Sequence, residues 1–306
     1  PAILGLAIAG PLILFQWLMR RACYAQMKPH LASLAGAVYM AVLAAGLIGL
    51  FAAHNLTALS ALVLMGAASL VSGSWILHSL RARRAHRLPL QEVASARRRH
   101  IEYGSWSAAT AVLMWIPGNS FLLLLPLWWG LEASAFYRAM TNVLLPMMNI
   151  STAFGGVLLP SLVSQRTEPS FHTRAAQLTL LLALPAMAYW FLLAVFGSSI
   201  VSILYGESFT NSADLLWLAG LIPICGAVAT VQGAALRARE RPKRVFLAYG
   251  FSALTAIALG VPMIRAWGVQ GATLGWLASY VVTALALTVL AAEARRVESR
   301  TGRPRS

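Results

Sequence analysis

The chain has 306 residues, of which 59% are hydrophobic and only 11% are charged, and its mean hydropathy is +0.70. This composition excludes a soluble domain of this length, and the long apolar runs exclude the alternating segments of about 10 residues that build a membrane β-barrel. The net charge of +15 does not indicate nucleic-acid binding, because the Lys and Arg residues fall in loops between apolar runs. We therefore predict an all-α, polytopic membrane helical bundle without a nucleic-acid partner.

Nine apolar runs are long enough to cross a bilayer, for which about 20 residues suffice. In chain order, they cover residues 1–19, 32–53, 58–80, 104–127, 135–162, 176–197, 214–236, 246–264 and 271–292. Of the 24 Lys and Arg residues, all except Arg138 and Arg265 lie in the segments that follow the odd-numbered runs. Because positive residues concentrate on the cytoplasmic side of a membrane protein, this asymmetry predicts a cytoplasmic C-terminal tail.

An internal repeat relates two parts of the chain. Residues 25–29 read Ala-Gln-Met-Lys-Pro and residues 238–242 read Ala-Arg-Glu-Arg-Pro, and each segment follows one span and precedes a hairpin of two spans. We interpret the chain as the last nine of about twelve spans in two related halves, so that roughly 110 residues are expected to precede it. Residues 1–100 then hold the last three spans of the first half and a basic cytoplasmic linker. Residues 101–306 form the second six-helix half and its tail.

A polar stripe marks the fifth run, formed by Arg138, Asn142 and Asn149, which lie within roughly 40° of one another around a helix. In lipid, such a stripe is expected to face protein or a water-filled cavity. Two alternatives stay open, because Arg138 could extend to the headgroups and the asparagines could only tie helices together.

The fourth run contains Pro117, Gly118 and Asn119 in succession. A proline removes one helical hydrogen bond and a glycine adds backbone freedom, so we predict a hinge at Pro117 and Gly118, with static curvature as the alternative. Asn119 would present a polar side chain in mid-span and is a further candidate for substrate binding.

No arrangement of catalytic residues is visible. The six histidines lack the spacing of a metal site, no glycine-rich phosphate loop occurs, and no Asp or Glu falls inside a predicted span, apart from Asp214 at the outer end of the seventh run. We predict no enzymatic activity, no metal and no cofactor. The missing carboxylates also disfavour a proton- or sodium-coupled drug exporter, which usually needs one within the membrane.

Several short segments carry a family resemblance. They are YAQMKP at residues 24–29, AFYR at 135–138, LLPSL at 158–162, LYGESF at 204–209 with ADLL at 213–216, and WGVQGA at 267–272. In these segments the chain resembles the polysaccharide flippases, such as O-antigen flippases, of the multidrug/oligosaccharidyl-lipid/polysaccharide exporter superfamily. The resemblance extends over essentially the whole chain.

The resemblance implies a transporter in the bacterial cytoplasmic (inner) membrane. Its substrate would be a polyprenyl-diphosphate-linked oligosaccharide for lipopolysaccharide O-antigen or exopolysaccharide, flipped from the inner to the outer leaflet by alternating access. Arg138 would bind the diphosphate, and Asn119, Asn142 and Asn149 would bind sugar hydroxyls. The implied partners are this lipid-linked oligosaccharide, membrane lipids and polysaccharide polymerase or assembly proteins.

Three alternatives to this function remain. A multidrug exporter of the same superfamily is the first, and a membrane glycosyltransferase or polymerase acting on the same lipid-linked sugars is the second. The short predicted outer loops leave little room for a catalytic domain. The third is a scaffold of a polysaccharide assembly complex that transports nothing, which the polar stripe disfavours.

Overall fold

A computed structural model describes residues 2–80 and 90–301, and these residues form helices joined by short turns, without a β-strand. The α-helices are α1 (Ala2–Ala25), α2 (Pro29–Ala52), α3 (Ala58–Ser79), α4 (Leu90–Ser164), α5 (Phe171–Tyr205), α6 (Leu216–Ala219), α7 (Leu221–Ala238), α8 (Pro242–Thr255) and α9 (Val261–Thr301). A 3-10 helix at Glu207–Leu215 connects α5 to α6, and a π-helical segment at Ala256–Gly260 joins α8 to α9. The predicted all-α fold is confirmed.

The helix α4 contains two membrane spans, because Gly130 interrupts it with φ 77° and ψ 173°. The hydroxyl of Ser134 donates a hydrogen bond to the carbonyl oxygen of Leu122 over 3.4 Å. In a straight helix, these residues would lie about 18 Å apart. The chain therefore reverses at Gly130, with residues 90–129 before the turn and residues 131–164 after it.

A second reversal occurs in α9 at Gly268, where φ is 55° and ψ is −124°. A Cβ atom added at Gly275 would lie 2.7 Å from the Cα of Gly260, whereas these positions would be about 22 Å apart in a straight helix. The indole of Trp129 donates to the carbonyl oxygen of Ile264 over 2.8 Å and thereby ties the two turns together.

Seven helices among the described residues are long and apolar enough to cross a membrane. Two of them contain a reversal, which gives nine spans in the described part of the chain, as predicted. The polytopic membrane bundle is confirmed as well. The predicted loops at residues 128–134 and 265–270 shrink to turns at single glycines, and several helices extend beyond their apolar windows.

The contacts divide the chain into two compact units, Pro1–Glu92 and Val93–Ser306. The sequence boundary predicted at residues 100 and 101 lies inside α4, and residues 81–89 of the predicted basic linker lie outside the described residues. The assignment of the two units to the halves of a longer repeat stays a prediction.

The first unit is held together by close packing of α1 on α3. A Cβ atom at Gly66 would lie 3.0 Å from the Cα of Ala9, so the absence of a side chain favours this close approach. Between the same helices, the amide of buried Gln16 donates to the hydroxyl of Ser72, which in turn donates to the carbonyl oxygen of Ala35 in α2. This relay satisfies two buried polar side chains and joins all three helices.

The second unit has a core to which both parts of α4, α5, the α6–α7 segment and α9 contribute. Its largest members include Phe121, Tyr137, Leu193, Ile222 and Trp276. The buried hydroxyl of Ser252 donates to the carbonyl oxygen of Ser279 over 3.0 Å and joins α8 to α9.

The loops at residues 25–29 and 238–242 have the same backbone geometry, position by position. Lys28 N–H donates to the carbonyl of Cys23, and Arg241 N–H donates to the carbonyl of Leu236. Both loops then place a proline in the first turn of the next helix. The buried residues around the loops also correspond with a constant offset of 213 positions, in the pairs Cys23 and Leu236, Ala32 and Val245, and Ala35 and Ala248. This correspondence supports the repeat.

Candidate functional site

The part of α4 that follows Gly130 packs on the second unit with one face. Tyr137, Met140, Leu144, Met147 and Ser151 are buried on this face. Their spacing of three and four residues is that of a helix stripe that faces a core. The phenol hydroxyl of a further residue, Tyr189 in α5, donates to the carbonyl oxygen of Val143 and holds the helix in this orientation.

The polar stripe lies on the opposite face of the same helix. Arg138 and Asn149 are exposed, and Asn142 is half-buried. At 100° per residue, the direction of the stripe is roughly 180° from the centre of the buried face. The stripe therefore points away from the core of the second unit, toward whatever surrounds that unit in the membrane.

The guanidinium of Arg138 makes no hydrogen bond or ion pair with a described residue; only its backbone carbonyl is engaged, by the Thr141 hydroxyl. Two other arginines of the unit are held by neighbours. Arg166 pairs with Glu240 over 2.9 Å, and Arg244 donates to the carbonyl of Leu290. The donors of Arg138 thus remain available for a ligand.

The amides of Asn142 and Asn149 also lack a hydrogen-bond partner among the described residues. Two threonines, Thr141 and Thr152, widen the stripe, and the sequence reasoning missed them. Their hydroxyls donate to the carbonyls one helical turn before them, which leaves hydroxyl lone pairs able to accept. Thr141 follows Arg138 by three residues and Thr152 follows Asn149 by three residues. This helical spacing would have predicted that the threonines lie beside the stripe.

The other residues predicted to be functional, Asn119 for substrate binding and Pro117 and Gly118 as a hinge, lie before the turn at Gly130. The side-chain amide of Asn119 donates to the carbonyl oxygen of Trp115 over 3.1 Å. The contact between Leu122 and Ser134 sets the register of the hairpin and places Asn119 at the depth of Arg138. No hydrogen bond joins Asn119 to a residue of the stripe.

The proposed hinge residues are helical in this structure. Pro117 is buried and Gly118 is exposed, with no atom within 4 Å of the position that a Cβ would take. The backbone conformation departs from helical geometry at Gly130 instead. A hinge at Pro117 and Gly118 concerns motion, and it stays a prediction.

A comparison with protein families shows the family to which the chain belongs. A family model described as "Polysaccharide biosynthesis protein" matches residues 21–214, which is more than half of the chain. The chain belongs to this polysaccharide biosynthesis protein family. No curated protein and no solved structure matches it. The segment that matches the polysaccharide biosynthesis family includes all of α4, and hence the polar stripe and Asn119.

Among the described residues, no group of three His, Cys, Asp or Glu side chains could hold a metal ion. The chemistry available at the polar stripe is therefore that of one guanidinium, two amides and two hydroxyls. Such a set recognises an anionic or polyhydroxylated ligand by hydrogen bonds.

Proposed function

We propose that this protein is a membrane transporter that flips a lipid-linked oligosaccharide from the inner to the outer leaflet for cell-surface polysaccharide synthesis. Membership of a polysaccharide biosynthesis family and the polytopic helical fold support this proposal. The observation that carries it is the unpaired Arg138 within a polar stripe on the face of α4 that does not pack. A stripe of this kind is costly against lipid and favourable against a polar substrate in a water-filled cavity.

The stripe suits a diphosphate linked to a sugar. A guanidinium presents several donors in a planar fork, which matches phosphate oxygens. Asn142 and Asn149 continue the stripe along the helix and can both donate to and accept from sugar hydroxyls. Arg138 lies eight residues after the turn at Gly130, about 12 Å along the helix axis. The diphosphate would thus bind near one end of the span, and the sugars would extend along it.

The transport step requires no covalent chemistry, and we propose a transporter rather than an enzyme. The polar head crosses along the stripe while the lipid tail stays in the bilayer, as two helical halves alternate between inward- and outward-open states. The protein would reside in the bacterial cytoplasmic membrane with its C-terminus in the cytoplasm, in accord with the distribution of its Lys and Arg residues.

The proposal is tested by replacing Arg138 with Ala in cells that depend on this protein for surface polysaccharide. We expect surface polysaccharide to fall and the lipid-linked precursor to accumulate in the inner leaflet. Arg265→Ala is the matched control, because Arg265 is the other arginine outside the predicted cytoplasmic segments and does not belong to the stripe. Normal surface polysaccharide in the Arg138→Ala cells, with the variant present at the wild-type level, would contradict the proposal.

A further inference from the structure

A pocket on the second unit, away from the polar stripe, has its own chemistry. It has a volume of about 220 Å³ and lies between the C-terminal third of α5 and the start of α6, lined by Leu193, Ala194, Val195, Gly197, Ser198, Asp214 and Trp217. The indole of Trp190 donates to the carbonyl oxygen of Trp217 over 2.7 Å and fixes α6 against α5. This hydrogen bond defines one side of the pocket, which is open toward the surface, so that the side chains of Ser198 and Asp214 are both exposed.

The pocket contains one negative charge that no described residue neutralises. The carboxylate of Asp214 forms no ion pair or hydrogen bond with a described residue, although the protein carries a net charge of +15. The other polar side chain is that of Ser198, whose hydroxyl can donate to an anionic oxygen. One carboxylate and one hydroxyl that line the same pocket suit a ligand that has a cation and a phosphate close together.

The position of the pocket indicates the source of such a ligand. Ser198 lies 24 residues after Arg174 in α5, about 36 Å along the helix axis. This distance exceeds slightly the hydrocarbon thickness of a bilayer, about 30 Å, so the pocket lies at headgroup level when Arg174 lies at the opposite interface. In the proposed orientation, this is the outer leaflet.

The size and the surroundings of the pocket favour a headgroup over a whole drug-sized molecule. Its volume is below the range of about 300–1,000 Å³ that is typical of drug-sized ligands. Exposed apolar side chains continue along α5 at Val195 and Phe196 and on α6 at Trp217, where acyl chains can lie. We infer that this pocket binds the headgroup of a phosphatidylethanolamine, with its ammonium on Asp214 and its phosphate at Ser198.

The test is native mass spectrometry of the purified full chain with equimolar phosphatidylethanolamine and phosphatidylcholine of identical acyl chains. The two lipids differ only in the ammonium, which donates hydrogen bonds in the first and is fully methylated in the second. We expect the wild type to prefer phosphatidylethanolamine by about tenfold, as a charge-assisted hydrogen bond provides. Asp214→Asn should reduce this preference to about one, and Glu132→Gln, which removes an exposed carboxylate outside the pocket, should retain it.

Three results would overturn the inference. The first is equal binding of the two lipids by the wild type, and the second is a preference that survives in Asp214→Asn. The third is displacement of the lipid by equimolar soluble ethanolamine or sodium ion, which would indicate a site for a free cation. Ser198→Val, which removes the hydroxyl without changing the charge of the pocket, is the second variant if Asp214→Asn does not fold. It should weaken the binding of both lipids, because both carry the phosphate, and unchanged binding would contradict the inference.

Discussion

Met27 and Glu240 adopt the same left-handed backbone conformation, with φ angles of 55° and 56°, although neither is a glycine. Each occupies the position after a helix where the chain turns toward the next helix, and each donates its N–H to the carbonyl three residues earlier, at Tyr24 and Arg237. Both loops thus form the helix-ending motif that usually contains glycine at this position. The equivalent positions of Met27 and Glu240 agree with the internal repeat, although His54 ends α2 with the same motif, so this geometry is not unique to the repeat.

The strain at Met27 predicts that Met27→Gly stabilises the protein. A left-handed conformation costs a residue with a Cβ atom roughly 1 kcal/mol or more, and glycine avoids this cost. We expect thermal unfolding of the purified chain in detergent to shift upward by a few degrees. Gln26→Gly is the control at the preceding position, which lacks the left-handed conformation, and it should not stabilise. A lower unfolding temperature for Met27→Gly would contradict this account of the loop.

The hydroxyls of Ser72 and Ser69, both fully buried in α3, provide a matched pair in the first unit. The hydroxyl of Ser72 accepts from Gln16 and donates to the carbonyl of Ala35, whereas that of Ser69 has no partner. Ser72→Ala should therefore lower the free energy of unfolding by about 1–3 kcal/mol, because the Gln16 amide loses its partner in the interior. Ser69→Ala should leave it unchanged or raise it. Chemical unfolding in mixed micelles measures both, and equal effects would show that the relay does not stabilise the unit.

The close approach of the two helices at the Gly268 turn predicts that Gly271 tolerates no side chain. A Cβ atom there would lie 1.9 Å from the carbonyl oxygen of Met263. Gly271→Ala should destabilise the protein by about 1–3 kcal/mol, as expected for overpacking. Gly118→Ala is the control, because the space around Gly118 is open and alanine is favoured over glycine in a helix. If Gly271→Ala unfolds at the wild-type temperature, this packing is wrong.

The driving force can be tested with the membrane potential. The described carboxylates lie near span ends or in loops, so we propose export of an anionic headgroup aided by an inside-negative potential, worth about 2.3 kcal/mol per charge per 100 mV. Proteoliposomes with an imposed potassium diffusion potential should flip the lipid-linked sugar faster than those in which an ionophore has collapsed it. A flipping rate that does not depend on the potential would exclude this driving force.

The membrane spans were predictable from the sequence, but the ends of the helices were not. Hydropathy finds the apolar windows because only apolar side chains are stable in lipid. Polar residues end such a window without ending the helix, here Arg174 at one end and Ser198 and Ser199 at the other, so α5 extends to Phe171 and Tyr205 beyond the predicted 176–197. The turns at Gly130 and Gly268 are shorter than predicted, because one glycine with positive φ can reverse the chain where a loop was expected.

The polar stripe was predictable from helical periodicity, since Arg138, Asn142 and Asn149 follow the 3.6-residue repeat. Periodicity alone could not show that the stripe lies opposite the buried face, because that depends on tertiary contacts such as the one from Tyr189 to Val143. The pocket at Asp214 was not predictable, because its side chains come from separate helices without a shared motif. The role of Asn119 and the hinge at Pro117 and Gly118 stay predictions.

The most direct test of the central proposal is flipping by the purified protein. Proteoliposomes would contain the full chain and a fluorescent polyprenyl-diphosphate disaccharide, and a membrane-impermeant quencher would report the fraction in the outer leaflet. We predict that the wild type and Arg265→Ala equilibrate the probe across the bilayer, while Arg138→Ala is slower by at least about tenfold, since it loses a charge-assisted contact with the diphosphate. Wild-type flipping by Arg138→Ala, or no flipping by the wild type, would contradict the proposal.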